Sequence, residues 1–322
     1  MKDSNYWTLI FSVYTQVISS KILLVMNLTQ LLKNLSKKNK THKIIYPDIA
    51  DNRVFEVVSQ LRDMGENPVI CGKADELKAY RELIDNGLEY YEVPASEKNE
   101  VFAAQKLKSG EIDGFLGGNI TTTSGIVRAL IKNVGSAQGV KRLSSHFIFG
   151  KEQGEIFLFS DGGIQIDPNA TELAEIGFLT IESALKYGMT PRVAMLSFST
   201  TGSGGEHTKV LKIREATKLL RQKLLDEGLG DIPLEGEIQF DAAFIPEIGL
   251  RKNPKTTLTK PANVFIFPDI DSGNIAYKIT ERLGGAVALG PTLQGLAKPA
   301  NDLSRGCSVE DIIAMHHITK NQ

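Results

Sequence analysis

Short apolar runs alternate with stretches of helical spacing along most of the chain. The run KIIYP (43–47) is followed by Val54, Val57, Val58 and Leu61 at helical spacing and by Gly65, which together predict strand, helix and stop. PVIC (68–71) predicts the next strand. The alternation continues through a strand at 90–93, a helical stretch at 101–107, the run 114–118 and a helix opening near Thr123. A second series follows, with strands EIFLFSD (155–161), RVAMLSFS (192–199), NVFIFPD (263–269) and AVALGP (286–291) separated by helices near 169–187 and 206–225 and a third after 269. Repeated β-α-β predicts parallel sheets, and continuous apolar strands predict helices on both faces. The expected class is α/β with two doubly wound domains, the break falling near Gly150 without a linker.

Ligands of open α/β sheets bind outside the carboxyl ends of the strands, so the loops there are where chemistry is expected. GGNITTTSGIVR (117–128) puts two glycines, then Thr121, Thr122, Thr123 and Ser124, at a helix start, with Arg128 one turn into the helix. Free amides, hydroxyls and a guanidinium suit an anion, although Thr and Ser are equally good helix caps. STTGSGG (199–205) has a similar make-up at another strand end. It lacks the Gly-Lys-Thr/Ser ending of a nucleotide loop and the spaced glycines of a dinucleotide fingerprint, which disfavours ATP and NAD. PANDLSRGCSVEDI (299–312) gathers Asn301, Asp302, Ser304, Arg305, Cys307 and Asp311 before a helix, where Ser308 and Asp311 can also be a capping pair.

Composition narrows the partners. In 322 residues, 37 Lys+Arg against 38 Asp+Glu leave a net charge of −1, without the basic excess that nucleic acid requires. The five histidines show no metal-ligand spacing, so no metal is expected. Two distant cysteines, Cys71 and Cys307, predict no disulfide framework and fit a reducing, cytoplasmic setting. Residues 1–25 are apolar in part, but Asp3, Gln16, Ser19, Ser20 and Lys21 interrupt them, short of the roughly 20 apolar residues of a membrane span. They read as a dispensable extension, with no stable membrane association expected.

NDLSRGCSVEDI (301–312) closely resembles the C-terminal signature of phosphate acetyltransferases, of the phosphate acetyl/butyryltransferase family. QFDAAFIPEI, NVFIFPDIDSGNIAYKITERLGG, GPTLQGLAKPANDLSRG, DPNATELAEI and RVAMLSFSTTGSG also look like segments of that family. The resemblance covers about residues 27–318. It implies two α/β domains flanking a cleft, the first of 26–149 completed by 295–322 and the second of 150–294. It also implies coenzyme A as substrate rather than bound cofactor, with acetyl-CoA, acetyl phosphate and phosphate as small-molecule partners, and a homodimer. Carried over by position, Ser304 and Arg305 are the catalytic serine and arginine and Asp311 the base, while Arg128, Thr122, Thr123 and Asn301 bind substrate phosphate. Two departures stand out. The family's usual HSTADTVR is TTTSGIVR here, and an Arg-Lys-His-Lys-Gly segment expected between Tyr91 and Gln105 is missing.

The resemblance implies direct thiolate attack on an acyl phosphate in a ternary complex. An ordinary Asp near 3.9 facing a thiol near 8.5 leaves about 6 kcal/mol against full proton transfer. The expectation is therefore that Asp311 takes the proton in concert with attack. The alternatives are a longer-chain acyltransferase, for propionyl or butyryl groups, and a weakly active binding paralogue.

Overall fold

The computed structural model describes residues 27–37, 42–150 and 154–322; the extension at 1–25 lies outside them. In chain order the main elements are α1 (Leu28–Ser36), β1 (Lys43–Tyr46), α2 (Asn52–Asp63), β2 (Asn67–Gly72), β3 (Glu89–Glu92), α3 (Asn99–Ser109), β4 (Gly114–Gly117) and α4 (Thr123–Asn133). They continue with β5 (Ser144–Gly150), β6 (Phe157–Ser160), α5 (Ala170–Lys186), β7 (Val193–Leu196), α6 (Thr208–Asp226), β8 (Leu234–Ile238), β9 (Val264–Ile266), α7 (Ile270–Arg282), β10 (Val287–Gln294), β11 (Ala300–Asp302) and α8 (Val309–Lys320). Only residues 93–98 join β3 to α3, where the family's basic segment was expected.

The first sheet has the order β11-β4-β1-β2-β3 and is wholly parallel. Its faces follow the period of two along a strand. Ile44 and Tyr46 of β1 pack with Val54, Val57, Val58 and Leu61 of α2 and with Ile312, Met315 and Ile318 of α8. Ile45, between them, packs with Ala103 and Leu107 of α3 and Ile126 and Leu130 of α4. At about 25 cal/mol per Å² of apolar area buried, this two-sided covering is what holds the strand ends rigid. The C-terminal strand and helix return to this sheet, as the resemblance implies.

The second sheet has the order β10-β5-β6-β9-β7-β8. Its β6, β9, β7 and β8 are parallel, as the β-α-β pattern predicts, while β5 runs antiparallel to both β6 and β10 at one edge. Strand β5 itself escaped the sequence reading, which counted residues up to 149 with the first unit, yet it hydrogen-bonds in the second sheet. The physical reason is its composition. All seven residues are buried, but the first three, Ser144, Ser145 and His146, are polar, so only the three-residue run Phe147–Phe149 marks it. The polar groups are paired: Ser145 Oγ donates to Asp161 Oδ1 at 2.5 Å, and the His146 ring bonds Gln294 Oε1 and the Tyr187 hydroxyl at 2.9 and 3.1 Å. One hydrophobic cluster runs through both halves, joining Leu28 and Tyr46 to Ile148, Met195 and Ile266. Among the described residues no helix is long and apolar enough to cross a membrane.

Candidate active site

After β1 the chain builds β2 and β3 on one side and then crosses to place β4 on the other, which opens a crevice at the carboxyl ends of β1 and β4. Loop 118–122 after β4 and turn 303–307 after β11 meet there. The glycine-rich loop turns its amides onto a resident carboxylate. Gly118, Ile120 and Thr121 donate backbone N–H groups to Asp48 Oδ2 at 2.7, 3.2 and 3.3 Å, and Thr121 Oγ1 donates to Asp48 Oδ1 at 2.5 Å. The second loop is built alike. Glu237 Oε1 accepts from Gly202 N and Ser199 Oγ, each at 2.8 Å, while Arg214 Nε donates to Glu237 Oε2 at 2.6 Å. Resident carboxylates thus occupy amides that the sequence reading left free for a ligand anion, which corrects that reading for both loops.

What remains for a ligand at the first loop is the start of α4. Thr122 caps the helix, its Oγ1 accepting from Gly125 N at 3.3 Å. Thr122, Thr123 and Arg128 are exposed, and Arg128 makes no hydrogen bond or ion pair among the described residues. Three exposed donors on one helix start can hold a phosphoryl group.

The turn after β11 carries Ser304 and Arg305, both exposed. Its own bonds are few: Gly306 N donates to Ser304 Oγ at 3.3 Å and Cys307 N to the Ser304 carbonyl at 3.1 Å. Asp311 is the third residue of α8. Its Oδ2 accepts from Ser308 N at 2.8 Å while Ser308 Oγ accepts from Asp311 N at 3.1 Å, a complete capping box. The capping reading therefore holds, and Oδ1 makes no hydrogen bond among the described residues, which leaves it available to a ligand.

Ser304 and Asp311 share a cleft of about 310 Å³ with Leu303 and Cys307 on one wall. Phe147, Tyr277, Leu289 and Pro291 line the other, with Lys278, Glu281 and Arg282 of α7; Arg282 Nε lies 3.7 Å from Glu281 Oε2, so the α7 lining carries one net positive charge. Lys278 and Arg282 were not singled out by the sequence reading; their spacing of one helical turn is an ordinary surface pattern. Burial pushes the Cys307 thiol up to about 11, with Arg53 offsetting part of the shift, so it is held as the neutral thiol at neutral pH.

Arg305 and Thr123 do not line this cleft but converge on Asp302, a residue left without a role in sequence. Asp302 is 1% exposed; burial raises its carboxyl to about 7, against a hydrogen bond from Thr123 and the nearby Arg305, and Asp48 adds to the rise. Its Oδ1 has no hydrogen-bond partner among the described residues. The close approach needs Gly118, at φ +108°, because a Cβ there would lie 2.1 Å from Asp302 Oδ1. Asn301, by contrast, is fully buried and spoken for. It accepts from Leu293 N at 2.8 Å and donates to Thr319 Oγ1 and Gln322 Oε1 at 2.7 and 2.8 Å, tying β11 to β10 and the C-terminus. Asn301, expected from the resemblance to bind phosphate, thus has its side-chain oxygen and nitrogen engaged inside the fold.

Comparison with known proteins agrees with this architecture. Residues 92–320 match the family model described as phosphate acetyl/butaryl transferase. A phosphate acetyltransferase of Staphylococcus epidermidis is 36% identical, across 92% of this chain and 98% of that protein. The solved structures of phosphotransacetylases from Staphylococcus aureus and Streptococcus pyogenes superpose with TM-scores of 0.83 and 0.83. They are 34% and 36% identical, cover 92% of this chain, and are themselves covered over 99% and 98% of their lengths. This chain therefore belongs to the phosphate acetyl/butaryl transferase family of acyltransferases.

Proposed function

We propose that the protein transfers an acetyl group reversibly between acetyl phosphate and coenzyme A, by direct attack of the thiol in a ternary complex. The observation that carries the reading is one cleft lined by Ser304, by Asp311 with its free Oδ1, and by Lys278 and Arg282. The C–S bond forms as the C–O bond to phosphate breaks, and the thiol proton passes toward Asp311 Oδ1 as sulfur attacks. Ser304 and Arg305 stabilise the oxyanion, the phosphoryl group rests on Thr122, Thr123 and Arg128, and the α7 cations take the phosphates of coenzyme A.

Two further parts of the reading have structural support. Ile275, Ile279 and Leu283 form an exposed apolar stripe at four-residue spacing, 57%, 52% and 85% exposed, which suits pairing of two copies. Two free, buried cysteines suit a reducing cytoplasm.

The test is thioester formation from coenzyme A with acetyl, propionyl and butyryl phosphates. Turnover greatest with acetyl phosphate is expected. Preference for butyryl phosphate would shift the reading to a longer-chain enzyme, which the apolar lining by Phe147, Leu289 and Met315 would accommodate. No turnover with any of the three would overturn it.

A further inference from the structure

We propose that Asp51 and Arg53 form a clamp that positions the Ser304–Cys307 turn against the loop after β4, an inference that rests on the acyl-transfer reading above. The turn needs outside support. Residues 304–306 are exposed and the two internal bonds given above are all that the turn makes with itself. Its carbonyls at Arg305 and Cys307 both accept from one atom, Arg53 Nη1, at 3.1 and 2.5 Å. From the same guanidinium, Nη2 donates to the Asn119 carbonyl at 3.2 Å, so the turn and the β4 loop are bridged by one rigid plane of atoms.

Asp51 fixes that plane. Arg53 Nε lies 3.0 Å from both Asp51 oxygens and Nη2 lies 2.5 Å from Oδ2, while Asn119 Nδ2 donates to Oδ2 at 2.9 Å. The whole fork of guanidinium donors is thereby engaged, on three separate segments of chain. The clamp also has a rigid base. Asp51 is the N-cap of α2, accepting from Arg53 N at 2.9 Å, and α2 is anchored by four fully buried residues, Val54, Val57, Val58 and Leu61. Burial raises the Asp51 carboxyl, but the bonds from Arg53 and Asn119 outweigh it and hold the group below its ordinary value, as ionised.

Neither residue lines the cleft, so each acts through the turn and is a positioning residue. Displacement of a reacting group by an ångström costs on the order of 100-fold in rate. Loosening the turn moves Ser304 and Arg305 together and should appear in kcat, because Thr123 and Arg128 lie on α4 and its N-cap Thr122 follows a loop that Asp48 holds independently of Arg53.

The experiment compares wild type, Arg53→Met and Arg53→Lys in the acetyl phosphate assay, with melting temperatures recorded. Both variants are expected to lose about 10- to 100-fold in kcat with KM for acetyl phosphate within about threefold of wild type. Lysine keeps the charge but has no fork, so it should not rescue. If Arg53→Met fails to fold, Arg53→Lys decides. An active wild type beside an Arg53→Lys enzyme with unimpaired kcat would overturn the clamp alone, as would losses confined to KM. A wild type without turnover would overturn the acyl-transfer reading and the clamp with it.

Discussion

Replacing Asp302 by Asn should stabilise the protein in a way that grows with pH. The carboxyl is 1% exposed and is raised from its ordinary 3.8 to about 7, by burial first and by Asp48 in addition, with Thr123 and Arg305 opposing. A carboxyl whose folded value is raised favours the folded state while it is protonated. Stability is therefore lost as pH rises from about 3.8 to about 7, where the unfolded chain has released a proton that the folded one retains. Once both states are ionised, the loss amounts to about 4 kcal/mol, of which about 3 falls between pH 5 and pH 8. Asn keeps a donor and an acceptor beside Thr123 but cannot ionise. Urea unfolding of wild type and Asp302→Asn at several pH values isolates this group from all others. The difference in stability should widen by about 3 kcal/mol from pH 5 to pH 8 in favour of Asn. A difference that stays flat over that range would refute the reasoning, and with it the claim that burial beside Thr123 and Arg305 raises the Asp302 carboxyl.

Asp311 has a cap to keep and a proton to take, and two substitutions separate the roles. Asp311→Asn retains an oxygen for Ser308 N and should unfold at nearly the wild-type urea concentration, whereas Asp311→Ala should lose about 1 kcal/mol. Turnover should fall in both; an Asn enzyme of near-normal kcat would remove Asp311 from proton transfer. His146 predicts acid lability. Burial lowers its ring to about 4 from 6.5, so the unfolded chain takes up a proton first, and stability is lost as pH falls from 6.5 toward about 4, by up to about 3 kcal/mol. Urea titration of wild type against His146→Gln should show the wild type losing ground across that interval, and parallel curves would contradict the assignment.

The parallel strands were legible because helices cover both of their faces, so KIIY and VAML stand out as apolar runs. Strand β5 was not, since its Ser145 and His146 are satisfied by Asp161, Gln294 and Tyr187, partners that become neighbours only in the fold. The same limit governs the loops. Glycines and hydroxyls after β4 and β7 announced tight strand-end turns, but the carboxylates that fill them come from elsewhere in the chain, Asp48 from the segment after β1 and Glu237 from β8. Ser304 and Asp311 were found together because seven residues and one helix start link them. Arg53 was invisible: 252 residues separate it from Arg305, and an arginine in the first turn of a helix carries no mark of what it bridges. The internal bonds of Asn301 were hidden in the same way, since its partners Thr319 and Gln322 come 18 and 21 residues later.

Direct transfer of the acetyl group is the centre of the account, and exchange of labelled inorganic phosphate into acetyl phosphate tests it most directly. With coenzyme A present, label should enter acetyl phosphate through reversible formation of acetyl-CoA. Without coenzyme A no label should enter, because Cys307 is held as the neutral thiol and no other acyl acceptor is assigned. Exchange in the absence of coenzyme A would contradict direct transfer by revealing a covalent acyl-enzyme, and absence of exchange under both conditions would contradict the activity itself.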